Sequence, residues 1–171
     1  MAATEEPVVL AGEPIAIVLE VPPTVQDTVR RAADGDSPSR MFLNLEGLRA
    51  EHNPGVVYGV YLNLPPDGAD ADRLDAHVGN VAPFGIEHMR DADRTGDGPP
   101  GMRHVFDVTS RVRALQEAGQ WDPASLTVTF EIIAPIPPEG EEATVDAILE
   151  EQLGFAKAEP LSIGRVSLFV S

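Results

Sequence analysis

Short apolar stretches separated by turn-forming residues make up most of this chain. They cover residues 7–10, 15–21, 41–45, 56–64, 76–81, 126–132 and 163–170. In the pair 41–45 and 56–64, apolar and polar positions nearly alternate, and Asn53, Pro54 and Gly55 stand in the connection. Alternation with a period of two, broken by Gly and Pro, is typical of antiparallel strands. We therefore predict an all-β protein, an antiparallel β-sandwich of the jelly-roll type with one or two short helices.

The strongest helical pattern lies at residues 109–119. Thr109 or Ser110 can cap its amino end, several apolar residues share one face, and Gly119 supplies the stop. A second pattern at residues 24–33 predicts one or two helical turns. Each of these helices connects two predicted strands.

A third helical pattern, at residues 141–155, is interpreted as an insertion before the last strand. Its apolar face consists of Val145, Ile148, Leu149 and Leu153, with acidic residues opposite. This face either packs on the sandwich of the same chain or docks on another chain. We favour packing on the sandwich, because the partner in the same chain is nearer.

Length and composition narrow the class of protein. At 171 residues the chain is long enough for one domain with a full core. We expect a single domain with a loose tail at residues 1–6 and loops at residues 34–39 and 86–101. The 15 Gly and 16 Pro residues fall mostly between the apolar stretches, as many short strands require. Frequent Ala, Asp, Gly, Pro, Arg and Val residues indicate a GC-rich bacterial source.

The chain is acidic and has no cysteine. With 28 acidic and 12 basic residues its formal net charge is −16, so nucleic acids and anionic membrane surfaces are repelled. The absence of cysteine excludes disulfides, thiolate metal sites and cysteine nucleophiles. Glu5, Glu6 and Glu13 interrupt the amino end where a signal peptide would be apolar, and no apolar run reaches the roughly 20 residues of a membrane span. We therefore expect a cytoplasmic protein with neither a nucleic-acid nor a membrane partner.

Five segments between residues 40 and 170 carry a resemblance to a known family through their order and spacing. They are the strand pair at residues 41–64, Val78-Gly79-Asn80-Val81 with Phe84-Gly85, Phe106-Asp107-Val108-Thr109, the strand at residues 126–132, and the closing strand around Gly164. Together they resemble the C-terminal domain that follows the copper domain in tyrosinases and polyphenol oxidases. The third segment is similar to the Phe-Asp-Val box of that domain, although His104 and Val105 replace the usual basic residue before Phe106.

The resemblance implies a β-sandwich accessory domain that covers the entrance to a dinuclear copper site and has no chemistry of its own. Its motif residues in this chain are Gly79, Phe84, Gly85, Phe106, Asp107, Val108 and Gly164. In that family one apolar side chain often points into the copper pocket as a placeholder for substrate. Here Phe84 and Phe155 are the candidates, with Met89 as an outsider, and each is more often a packing residue.

The four histidines do not point to a metal centre within this chain. A type-3 copper pair needs six histidines presented from helices, whereas the chain holds His52, His77, His88 and His104. Their spacing never places two imidazoles on one helix face. Surface or half-buried histidines with local hydrogen bonds are the favoured interpretation, and a weak mononuclear site from two of them stays open.

One acidic segment resembles the beginning of a calcium loop. Asp91, Asp93, Thr95 and Asp97 place oxygen ligands at alternate positions, and Gly96 stands at the sixth position. However, Met102 occupies the twelfth position, where a bidentate Glu ligand belongs. Asp and Gly are also frequent in ordinary exposed turns, and this interpretation is favoured.

The leading hypothesis is a non-catalytic shielding or interaction domain that needs no cofactor and whose partner is a type-3 copper oxidase domain or protein. The alternative is a stand-alone β-sandwich that binds carbohydrate or another small ligand, with Trp121, Tyr58 and Tyr61 as the available Trp and Tyr platforms. A small hydrolase or metal-dependent enzyme ranks third, because no nucleophile elbow, phosphate loop or dinucleotide motif occurs.

Overall fold

The computed structural model describes residues 1–35, 37–52, 54–83, 86, 101–135 and 160–171. In this part of the chain the strands are β1 (Ala2–Ala3), β2 (Val8–Leu10), β3 (Ile15–Glu20), β4 (Met41–Arg49), β5 (Val56–Leu62), β6 (His77–Val81), β7 (Met102–Asp107), β8 (Ser125–Pro135) and β9 (Leu161–Val170). The helices are α1 (Pro23–Asp34), α2 (Asp70–Ala76) and α3 (Thr109–Glu117). No helix in these described ranges is long and apolar enough to cross a membrane.

The strands form two antiparallel sheets that pack face to face. Sheet 1 has the order β2-β9-β4-β7, with β1 also paired to β9, and sheet 2 has the order β3-β8-β5-β6. The antiparallel pairs β2–β9, β3–β8, β4–β7 and β5–β6 are nested one inside the next along the chain. Nested pairing of this kind is the jelly-roll arrangement. The predicted all-β sandwich is thus confirmed.

Short connections determine which ends of the two sheets coincide. Residues 11–14 join β2 to β3 and residues 50–55 join β4 to β5, so these four strand ends lie at one end of the sandwich. Strands β6 and β8 also run toward this end, which we call the loop end. All three helices connect strands at the opposite end, which we call the helix end: α1 joins β3 to β4, α2 joins β5 to β6, and α3 joins β7 to β8.

The core lies between the sheets and is filled by alternate side chains of the inner strands. From sheet 2 it takes Tyr58, Val60, Leu62, Leu126, Val128 and Phe130, and from sheet 1 Met41, Leu43, Leu45, Leu48, Leu161 and Ile163; all are fully buried. Burying one such side chain stabilises the fold by roughly 1.5–3 kcal/mol. Packing of alternate side chains into this core therefore explains the period-two pattern from which the strands are predicted.

Helices α1 and α3 pack on each other and close the helix end. Arg113 Nε donates to the carbonyl oxygen of Ala32 at 3.2 Å, and Gln116 Nε2 donates to Asp34 Oδ1 at 2.8 Å. Helix α1 ends at Gly35, whose φ of 78° is the left-handed conformation that glycine adopts easily. At twelve residues, α1 is longer than the one or two turns that the sequence predicts.

The structure corrects the predicted boundaries at two places. Residues 1–6 are not simply a loose tail, because Ala2 and Ala3 form β1 and pair with Leu168 and Ser167 of β9. The loop predicted at residues 34–39 begins one residue later, since Asp34 belongs to α1. The helix predicted at residues 141–155 and most of the loop at 86–101 lie outside the described residues.

Candidate functional site

The Phe-Asp-Val segment ends β7 and joins the two sheets along one side of the sandwich. Phe106 of β7 packs directly over Gly79 of β6. A Cβ atom at Gly79 would overlap Cδ1 and Cε1 of the Phe106 ring, so only glycine leaves room for the ring. These two motif residues therefore fasten an edge strand of sheet 1 to an edge strand of sheet 2.

Asp107 and Thr109 order the turn from β7 into α3. The Thr109 N–H donates to Asp107 Oδ1 at 3.0 Å, and the Met41 N–H donates to Thr109 Oγ1 at 2.9 Å. Hydrogen bonding by Thr109, aided by nearby Arg40, holds the pKa of Asp107 below its ordinary value. Val108 between them is fully buried in the core. The Asp-Val-Thr part of the box thus ties the start of α3 to the start of β4.

Gly164 lies in β9 opposite an irregular part of β4. The pairing of β4 with β7 shifts register between Leu45 and Leu48, and Gly47 in this interval has a φ of 66°. A Cβ at Gly164 would lie 3.4 Å from the Glu46 carbonyl oxygen. Gly164 therefore accommodates the bulge without being required as strictly as Gly79.

The described histidines are His52, His77 and His104. His52 is exposed, and His77 Nε2 lies 2.6 Å from Asn80 Oδ1. His104 stacks beside Phe106 with ring centroids 6.1 Å apart, and burial lowers the pKa of its imidazole. In the described ranges no three His, Asp or Glu side chains are grouped to hold a metal ion.

Several predicted site residues fall outside the described part of the chain. They are the calcium-loop candidates Asp91, Asp93, Thr95 and Asp97, the motif residues Phe84 and Gly85, the placeholder candidates Phe84, Phe155 and Met89, and His88. Their roles stay predictions.

Sequence reasoning missed an aromatic pair on the outside of sheet 1. Phe42 of β4 and Phe169 of β9 stack with ring centroids 5.2 Å apart and an interplanar angle of 22°. Both side chains are half-buried. Met41, Phe42 and Leu43 are all apolar, so hydrophobicity alone does not show that Phe42 faces outward. The signal lies in the register, because the fully buried Met41 and Leu43 on either side face the core.

Comparison with protein-family models shows the family of this chain. The family model described as "Domain of unknown function (DUF7868)" matches residues 1–171. The chain belongs to this family. No curated protein matches the sequence of the DUF7868 chain.

Solved structures similar to the DUF7868 chain include plant polyphenol oxidases. Recombinantly expressed latent aurone synthase, a polyphenol oxidase, aligns with a TM-score of 0.51 and 13% identity, covering 98% of this chain and 26% of the oxidase. Latent aurone synthase from its natural source gives a TM-score of 0.50 at 13% identity, with the same coverage of 98% and 26%. Latent apple tyrosinase aligns with a TM-score of 0.49 and 16% identity, covering 98% of this chain and 28% of the tyrosinase. The DUF7868 chain thus shares the fold of a part of aurone synthase and spans about a quarter of its length.

Proposed function

We propose that this chain is a non-catalytic accessory domain that docks on a type-3 copper oxidase domain or protein and shields its copper cleft. The observation that supports this most is that 98% of the chain corresponds in fold to only 26% of a latent polyphenol oxidase. A domain that covers a catalytic cleft is a simple physical cause of latency. In this proposal the copper belongs to the partner.

The proposed mechanism is steric. A sandwich with a fully packed core is a rigid body, since protein interiors are packed as densely as organic crystals. The Phe106–Gly79 contact and the Asp107–Thr109 turn add to this rigidity, because they fasten the two sheets and α3 together. Such a body excludes bulky phenols from the cleft until cleavage or displacement removes it.

The carbohydrate-binding alternative lacks an observation in its favour. A sugar site presents exposed aromatic rings, whereas Tyr58 is fully buried and Tyr61 is 7% exposed. Trp121 packs against the hydrophobic core. None of the three therefore offers an open ring platform in the described part of the chain.

The proposal is tested by mixing the purified chain with the type-3 copper oxidase encoded nearest to it. The initial rate of diphenol oxidation is measured against chain concentration, and the mixture is analysed by size exclusion. We expect co-elution and a rate that falls to a plateau, with a larger decrease for bulky phenols. An unrelated acidic protein at the same concentration is the control. Separate elution together with an unchanged rate would contradict the proposal.

A further inference from the structure

Strand β3 forms one edge of sheet 2 and has an apolar sequence. Among the described strands it pairs with β8 alone, along its whole length from Ile15 to Glu20. Its sequence is Ile-Ala-Ile-Val-Leu-Glu, and Val18 near its middle is 60% exposed. An exposed apolar edge strand is a template for pairing with another strand, because its outward backbone groups are unpaired.

The hydrogen bonds of β8 show which backbone groups of β3 point outward. Thr127, the residue of β8 paired with Val18, is bonded on the β5 side instead: the Asn63 N–H donates to its carbonyl oxygen, and its own N–H donates to Asn63 Oδ1, both at 2.9 Å. Paired residues of an antiparallel ladder bond to each other in alternate rows only. The N–H and C=O of Val18 therefore point away from β8, and those of Ala16 and Glu20, two positions away, do the same.

The other sheet edges in the described part of the chain have features that discourage pairing. Strand β7 carries Arg103, His104 and Asp107. Strand β6 has five residues, and Phe106 packs over it at Gly79. Strands β1 and β2 have two and three residues. Charged side chains and short length are ordinary protections of sheet edges. Strand β3 has six residues, and its only charge stands at the last of them.

Open space lies beside the free edge of β3. A groove of about 950 Å³ separates β3 from the residues around β1. Ile17 and Val18 line it from β3, and Glu5, Glu6 and Arg165 line it from the side of sheet 1. The edge is therefore accessible to an added strand.

The sequence of β3 makes this edge complementary to a second copy of itself. In an antiparallel pair with Val18 opposite Val18 of the second copy, Ala16 lies opposite Glu20, so outward-facing residues meet outward-facing residues. Each such pair can exchange two backbone hydrogen bonds. A shift of the register by two positions brings Pro14 or Pro22 into the pairing, and proline has no N–H to donate. In the unshifted register the carboxylate of the strand faces alanine rather than another carboxylate.

We propose that the chain forms a symmetric dimer in which β3 pairs antiparallel with β3 of a second copy and joins sheet 2 of each copy into one continuous sheet. The twofold axis passes beside Val18, so the interface is the same patch on both copies. On the inner face of the joined sheet, Ile17 of one copy lies opposite Leu19 of the other, an apolar cross-strand pair. This inference does not depend on the proposed docking on an oxidase.

Sedimentation equilibrium of the chain alone, from about 1 μM to 1 mM, tests the dimer. We expect a monomer–dimer equilibrium that shifts toward the dimer as NaCl is raised, because salt screens the repulsion between two copies of net charge −16. Hydrogen exchange resolved by residue provides the second readout. The amides of Ala16, Val18 and Glu20 should exchange more slowly as the chain concentration rises.

Substitutions at Val18 test the pairing itself. Val18→Pro removes an outward N–H that the fold of one copy does not use, and Val18→Glu places two carboxylates side by side at the twofold axis. Each should raise the dissociation constant of the dimer about tenfold or more. Val18→Thr, which keeps the N–H and the branched shape, and Val105→Glu, on the exposed edge strand β7, are the matched controls and should stay within about twofold. The urea midpoint of every variant confirms that it is folded.

Three results would overturn the inference. One is a chain that stays monomeric over the whole concentration range, including the case in which the Val18 amide is protected only when an oxidase is added, since the edge then takes a strand of that protein. Another is a dimer that Val18→Pro and Val18→Glu leave intact, because it uses a different surface. The third is a dimer that NaCl weakens, because ion pairs rather than strand pairing then hold it together.

Discussion

Replacing Gly79 by alanine tests whether the Phe106–Gly79 contact fastens the two sheets. The added Cβ would overlap two atoms of the Phe106 ring, and the ring faces the core from the neighbouring sheet. Overpacking a well-packed interior typically costs about 1–3 kcal/mol. We expect Gly79→Ala to lower the free energy of unfolding by this amount.

A second substitution shows whether overlap with the Phe106 ring causes this loss of stability. Phe106→Ala removes the half-buried ring and should cost about 2 kcal/mol, less than the 3–5 kcal/mol of a fully buried one. In the Phe106→Ala protein the Cβ at position 79 meets no ring. Alanine within a strand stabilises the fold by about 0.5–1 kcal/mol relative to glycine. Gly79→Ala should therefore be neutral or stabilising when Phe106 is absent.

Urea denaturation of the four proteins in this cycle measures the coupling. With a slope of about 1–3 kcal/mol per molar urea, the single Gly79→Ala variant should lose about 1 M in its midpoint. Gly164→Ala is the matched control, because its Cβ would lie 3.4 Å from its nearest neighbour. An equal cost of Gly79→Ala with and without Phe106 would refute the reasoning, as would a Gly164→Ala variant that is equally destabilised.

Three further predictions concern the turn into α3, the half-buried imidazole of His104 and the start of β7. Thr109→Val leaves the buried Met41 N–H without an acceptor and should cost about 1–3 kcal/mol in urea denaturation, whereas Thr109→Ser should keep most of the stability. Burial lowers the pKa of the His104 imidazole from its ordinary 6.5. The free energy of unfolding should therefore fall as the pH decreases from 7 through 6.5 to the lower folded-state pKa. His104→Gln should remove this pH dependence, and an unchanged pH dependence in that variant would contradict the prediction. Gly101 has a φ of 124°, and a Cβ at this position would lie 2.8 Å from the Leu48 carbonyl oxygen of β4. A Cβ at Gly119 would meet no atom within 4 Å. Gly101→Ala should therefore lower the thermal unfolding midpoint more than Gly119→Ala does.

The strands were predictable where burial imposes a period of two. Residues 56–64 and 126–132 correspond to β5 and β8, because each places large apolar side chains at alternate positions facing the core. The alternation of apolar and polar residues does not predict the register shift in β4. There Leu45 and Leu48 both face the core although they are three residues apart, which a bulge allows.

Helix α2 and strand β1 could not be predicted, because distant contacts stabilise them. Helix α2 buries only Ala76 and leaves Leu74 78% exposed, so it has no apolar face to recognise. Its Arg73 pairs with Glu131, 58 positions away. Strand β1 has two residues and exists through its pairing with β9 at the other end of the chain.

The contact between Phe106 and Gly79 could not be predicted from the sequence. Phe106 and Gly79 belong to separate segments, and their contact arises only when β6 and β7 meet across the two sheets.

The most direct test of the central claim is a calorimetric titration of the chain into the type-3 copper oxidase encoded nearest to it, with diphenol turnover measured on the same samples. We predict saturable binding and a loss of turnover over the same range of chain concentration. No heat of binding together with unchanged turnover would contradict the account.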